Sequence, residues 1–110
     1  DRSMKKDIEY FNGGILQKVS LLKPATYRYK DNAADAQKAI GFIAQEVEEV
    51  FPGLVYEKDG LKTLNYGDFA VLSVAAIQEL NAKVEAQSSE IDALRKQLEE
   101  LTTTVNQLKN

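Results

Sequence analysis

The sequence predicts an α+β chain: a small mixed helix and hairpin head, followed by a long C-terminal helix that forms a parallel coiled coil. Two observations carry this expectation. Every Gly, Pro, Tyr and Phe of the 110 residues lies at or before Phe69, and Ala70 to Asn110 contains none of them. In that second stretch the apolar residues recur at alternating steps of three and four. Gly and Pro punctuate short elements and tight turns, whereas an uninterrupted period of 3.5 belongs to one long helix. The expected division is residues 1–67 for the head and 68–110 for the rod.

In the head, Ile15, Leu16, Val19 and Leu22 mark an amphipathic helix that begins after Gly13-Gly14 and is stopped by Pro24. The segment ATYRYK alternates as a strand, with Tyr27 and Tyr29 on one face. Residues DNAADAQK are polar and read as a loop. Ile40 to Ile43 is a short apolar strand running into a helix that buries Ile43, Val47 and Val50 and ends before Pro52. The run LVYEKDGLKTLNY then predicts two strands around Asp59-Gly60, a strong hairpin signal.

The rod begins at Asp68, an N-cap following Gly67, and spans ~43 residues, or ~65 Å. Its heptads place Ala70, Ile77, Val84, Ile91, Leu98 and Val105 at position a. Position d holds Ser73, Leu80, Gln87, Leu94, Leu101 and Leu108. A seam of this length exceeds what a head of under ~70 residues can cover, so it must meet its own copy in another chain. Ile or Val at a with Leu at d favours a parallel dimer, Leu98 breaks that pattern, and a polar d residue such as Gln87 fixes register and oligomer state. Glu90 at g reaches Arg95 at e of a parallel neighbour. Periodicity alone thus leaves dimer and trimer open. Thr102, Thr103 and Thr104 weaken the end of the helix by their low propensity.

Composition excludes much chemistry. There is no Cys and no His, which removes disulfides, thiolate metal sites, and the commonest general base and metal ligand. A net charge of −3 with dispersed basic residues argues against nucleic acid as the partner. No run approaches the ~20 consecutive apolar residues of a membrane span. Glu46, Glu48 and Glu49 read as a solvated helix face, because 46 and 49 share a side while 48 points elsewhere. Gly13-Gly14 lacks the further glycines of a phosphate loop. Neither a cofactor nor a metal is expected.

Four blocks in order, DRSMKKDI, LLKPATYRYK, IGFIAQEVEEVFPGLV and KTLNYGDFAVLSVAAIQEL, resemble the intramolecular chaperone domain at the C-terminus of bacteriophage endosialidase tailspikes and tail fibres. This is the peptidase S74 family, shared by the myelin regulatory factors. The resemblance covers residues 1 to about 80, and its motif residues here are Gly41, Phe42, Gln45, Glu46, Pro52 and Tyr66. It implies a homotrimer, and the heptads then place Ile77, Leu80, Val84, Gln87, Ile91, Leu94, Leu98, Leu101, Val105 and Leu108 at its interface. It also implies a disposable folding aid that registers the upstream fibre of the same polypeptide and then cuts itself away. The implied setting is the host cytoplasm during phage assembly, with the parent protein in the virion tail. No nucleic acid or membrane partner is implied.

The family's cutting motif is Ser-Asp-x-x-x-Lys, cleaved just before the Ser. On this sequence the Asp is Asp1, the Lys is Lys5 acting as general base, and the Ser is the residue expected immediately before Asp1. Ser3 stands where relatives carry a second basic residue and is misplaced to be the nucleophile. The hydroxyl would attack the carbonyl on its own N-terminal side, and water would hydrolyse the resulting ester. A lysine base must be neutral, which requires burial or neighbouring positive charge, here Arg2 and Lys6. The competing expectation is a permanent trimeric tip or stalk of a fibre or bacterial surface adhesin that never cuts. A membrane-tethered DNA-binding factor of the myelin regulator type is a third use of the module, but this chain carries no DNA-binding patch.

Overall fold

A computed structural model of the chain describes residues 1–109; Asn110, the end of the expected rod, lies outside the described residues. The chain opens with a 3-10 turn, Arg2–Met4, and continues to Gly14 without regular structure. Helix α1 is a single turn, Ile15–Val19, entered through Gly14 at φ 78°, a left-handed conformation that glycine adopts without penalty. It ends well before Pro24. Ser20 donates its hydroxyl to the carbonyl of Gln17 at 2.6 Å, and the amides of Leu21 and Leu22 take i−3 partners, so local bonding closes the helix early.

Strand β1 covers Ala25–Tyr27 and pairs antiparallel with β2, Ala39–Gly41, with Thr26 opposite Ile40. The expected strand through Lys30 stops at Tyr27. Asn32 turns the chain by accepting the Tyr29 amide on its side chain and donating its own amide to the Tyr29 carbonyl. Helix α2 spans Ala44–Val50. Val47 is its buried residue at 1% exposure and Val50 is half-buried, but the expectation that Ile43 is buried fails: it is 41% exposed. Ile43 is the N-cap, in extended conformation (φ −88°, ψ 121°), so it lies outside the helical stripe that Val47 shares. Pro52 occupies the first position of a 3-10 turn, Pro52–Leu54, where its missing N–H costs nothing.

The expected hairpin forms, β3 (Val55–Lys58) against β4 (Leu61–Leu64), with Lys58 opposite Leu61. Asp59 and Gly60 both have positive φ, 53° and 78°, as a two-residue type I′ turn requires. Helix α3 runs Tyr66–Lys109 and starts two residues before the expected N-cap Asp68. Asn65 takes the capping role: its side chain accepts the Gly67 amide and its carbonyl accepts the Asp68 amide, each at 3.0 Å. Asp68 instead sits in the first turn, where its carboxylate opposes the helix dipole and accepts the Tyr56 hydroxyl at 3.1 Å.

By internal contacts the chain divides into two units, Asp1–Ala76 and Ile77–Asn110. In the first, the core consists of Ile15, Val47, Phe69, Leu72 and Ala76, with Leu16, Phe42, Phe51 and Leu64 packed around it. The first turns of α3 therefore belong to the head's core. In the second unit the helix continues unbroken through Thr102, Thr103 and Thr104, whose hydroxyls each bond the carbonyl four residues back.

Candidate functional site

Three groups of residues are candidates for function. The first is the opening turn. Asp1 caps it, its carboxylate accepting the Ser3 amide at 2.9 Å and the Ser3 hydroxyl at 3.0 Å. The amides of Met4 and Lys5 return to the carbonyls of Asp1 and Arg2, both at 3.1 Å. Lys5 leaves the turn in extended conformation (φ −120°, ψ 144°), and Asp7 at φ 53° bends the chain again. Arg2 approaches the Tyr10 hydroxyl at 3.5 Å. Arg2, Lys5 and Lys6 all have exposed side chains, and the turn's hydrogen bonds run within the first ten residues. The hydroxyl of Ser3 is committed to holding Asp1, so this turn presents a fixed Asp followed by an exposed Lys on extended backbone.

The second group is the motif cluster around Gly41. A Cβ there would collide with the hydroxyl of Tyr66 and lie 2.8 Å from that of Tyr27, so no other residue lets both phenols approach the strand. The Tyr66 hydroxyl accepts the Phe42 amide at 3.1 Å. The rings of Phe42, Tyr66 and Phe69 form a triangle, with Phe42 6.2 Å from Tyr66 and 4.9 Å from Phe69, near parallel to each, and Tyr66 5.9 Å from Phe69. Tyr27 meets Tyr29 edge to face at 5.4 Å. Hydrogen bonding to Tyr29 first, then to Tyr66, pushes the Tyr27 phenol up to about 12. Beside the cluster lies an open groove lined by these tyrosines, Gln45, Lys30 and Lys62.

The remaining motif residues are structural in their contacts. Glu46 lies 3.9 Å from Lys23, and Pro52 starts its turn. Glu48 accepts a 2.6 Å hydrogen bond from Lys62, which raises the lysine's pKa. Two of the three clustered glutamates are thus tied to lysines from neighbouring segments. The tyrosine network escaped sequence reasoning, since alternation in ATYRYK places Tyr27 and Tyr29 on one face but says nothing of Tyr66 or Gly41.

The third group is the apolar stripe of α3. Ile77, Leu94, Leu98 and Leu101 are 59–64% exposed, Leu80, Val84, Ile91 and Val105 40–52%, and Leu108 82%. Gln87 interrupts the stripe at its middle and is exposed as well.

Comparison with known proteins bears directly on these groups. The family described as chaperone of endosialidase, peptidase S74, matches residues 1–56, which include the opening turn and most of the motif cluster. The long tail fiber protein Gp37 of Salmonella phage S16 is 36% identical over 114 residues, covering 96% of this chain. The chain spans only 14% of that relative's length. With the family's blocks matched over half of the sequence and the likeness continuing through nearly all of it, the chain belongs to the peptidase S74 family of endosialidase chaperones.

Proposed function

We propose that this chain is the C-terminal intramolecular chaperone of a phage tail-fibre or tailspike protein, which trimerises and registers the upstream fibre and is released by self-cleavage. The observation that carries the reading is the exposed heptad stripe of α3. Large apolar side chains repeated along one face of a helix call for a partner, and the a/d pattern, with Glu90 at g and Arg95 at e, supports parallel copies of the same helix. Covering the half-exposed stripe is worth roughly 10 kcal/mol per chain. That offsets an association cost of about 4–15 kcal/mol. This reading divides the chain into a head of residues 1–67, into whose core the first turns of α3 pack, and a coiled coil of 68–110, and membership of the family supports three strands.

The benefit to the parent follows from loop-closure entropy. An intertwined fibre gains its long-range contacts only after three chain ends are in register, so the ordering cost precedes the reward. A coiled coil at the C-terminus raises the effective concentration of the three chains and aligns them.

In the self-cleaving step the serine expected immediately before Asp1 gives its hydroxyl proton to Lys5 and attacks the preceding carbonyl. The peptide C–N bond breaks as the proton passes to the leaving amine, and water then hydrolyses the ester. Asp1 holds the turn and Arg2 and Lys6 supply positive charge beside Lys5. Because Lys5 is exposed in the single chain, packing between copies supplies the desolvation a neutral lysine needs. Cutting then waits for assembly.

The test is to express the chain with its natural upstream fibre segment, beside its Lys5→Ala variant. The proposal expects two fragments from the parent and one full-length band from the variant, with the released fragment sedimenting at three times the 12.3 kDa of one chain. An upstream codon other than Ser, or an uncut parent, leaves a permanent trimeric tip; a released fragment of 12.3 kDa rules out the chaperone by trimerisation.

A further inference from the structure

The first turns of α3 present three faces. Phe69, Leu72 and Ala76 are sunk into the head's own core, at 8%, 5% and 6% exposure. Ala70 and Ser73 occupy the first a and d positions, both small. Val71 and Val74 remain 59% and 56% exposed, although they belong neither to the core nor to the seam. In heptad terms the core residues are g, c and g, while the two valines are b and e. At about 100° per residue, the valine face lies about 100° from the seam on the flank opposite the head.

That arrangement matters in a parallel assembly, where the g flank of each helix abuts the e flank of the next. Each head hangs on the g/c side of its own helix, so closing the ring brings it against the b/e side of the neighbour. The apolar residues on that side are Val71 and Val74, three residues short of Ile77, where the large seam residues begin. We propose that Val71 and Val74 dock against the head of the neighbouring copy, so that the heads close a ring around the seam. This rests on the parallel trimer proposed above and adds an interface outside the coiled coil. The small Ala70 and Ser73 fit it, because the bulk that a coiled coil places at d has moved one position round to Val74.

The chain has no cysteine, so a single introduced thiol reports on one place. Val74→Cys and, as an exposed f-position control, Ser89→Cys are made in the 110-residue chain and treated with an aromatic disulfide reagent after sedimentation has established the wild-type mass. The proposal expects the thiol at 74 to react at least tenfold more slowly than that at 89 in the assembled protein, and equally fast in denaturant. Val74→Glu and Val71→Glu should each weaken assembly at least tenfold with helix content unchanged, while Ser89→Glu should not. A trimeric wild type whose two thiols react alike, or whose assembly tolerates both glutamates, overturns the ring of heads and leaves the trimer standing. A wild type that sediments as a monomer overturns both.

Discussion

Replacing Gly41 with Ala is the sharpest perturbation of the motif cluster. The added Cβ would overlap the Tyr66 hydroxyl and lie 2.8 Å and 3.3 Å from the hydroxyl and ring of Tyr27. The tyrosines must yield, because the β2 backbone is pinned by its pairing with Ala25. Overpacking of this kind costs about 1–3 kcal/mol. Displacing Tyr66 also removes its bond to the Phe42 amide, about 1 kcal/mol more. The expected loss is thus about 2–4 kcal/mol. Every tyrosine and phenylalanine lies at or before Phe69, so tyrosine fluorescence during urea unfolding at fixed protein concentration follows the head apart from the rod. Tyr66→Phe alone should cost about 1 kcal/mol, since it loses the hydrogen bond and keeps the ring stacked. In the double variant the hydroxyl that blocks the Cβ is gone, so the two losses should fall short of their sum by about 1–2 kcal/mol. Strict additivity, to within about 0.5 kcal/mol, would refute the claim that Gly41 exists to admit the Tyr66 hydroxyl.

Two further outcomes follow from the geometry. Gly60→Ala places a side chain at φ 78° in the hairpin turn and should lower head stability by about 1 kcal/mol, whereas Gly53→Ala, with open space at its Cβ, should be nearly neutral in the same assay. Tyr27 holds its proton up to about 12 in the fold but loses it near ~10 when unfolded, so its stabilisation is complete below pH ~10. It is lost as pH rises from there to about 12, and urea midpoints of Tyr27→Phe should lack that part of the alkaline decline.

The long helix, the hairpin and the order of head elements were legible in the sequence because each depends on local pattern. Heptad spacing from Ile77 to Leu108 needs no knowledge of the rest of the chain, and Asp59-Gly60 dictates a type I′ turn by backbone sterics alone. Element ends were less legible. The Ser20 hydroxyl shortens α1, the Asn32 side chain ends β1, and Asn65 moves the start of α3, all through side-chain bonds that compete with propensity over one or two residues. Of the candidate site, the Asp1-to-Lys5 spacing was read from the motif alone.

What only the tertiary structure decided is which residues meet across distance. The pairing of β1 with β2 brings Gly41 beside Tyr27, and the start of α3 brings Tyr66 to the same point, a convergence of segments up to 39 residues apart that no period encodes. Likewise, sequence alone made α3 a helix with one apolar seam. Packing of Phe69, Leu72 and Ala76 into the head core used up a second face, and the exposure of Val71 and Val74 on a third became visible only then. Periodicity names the faces of a helix; the fold determines which of them is already covered.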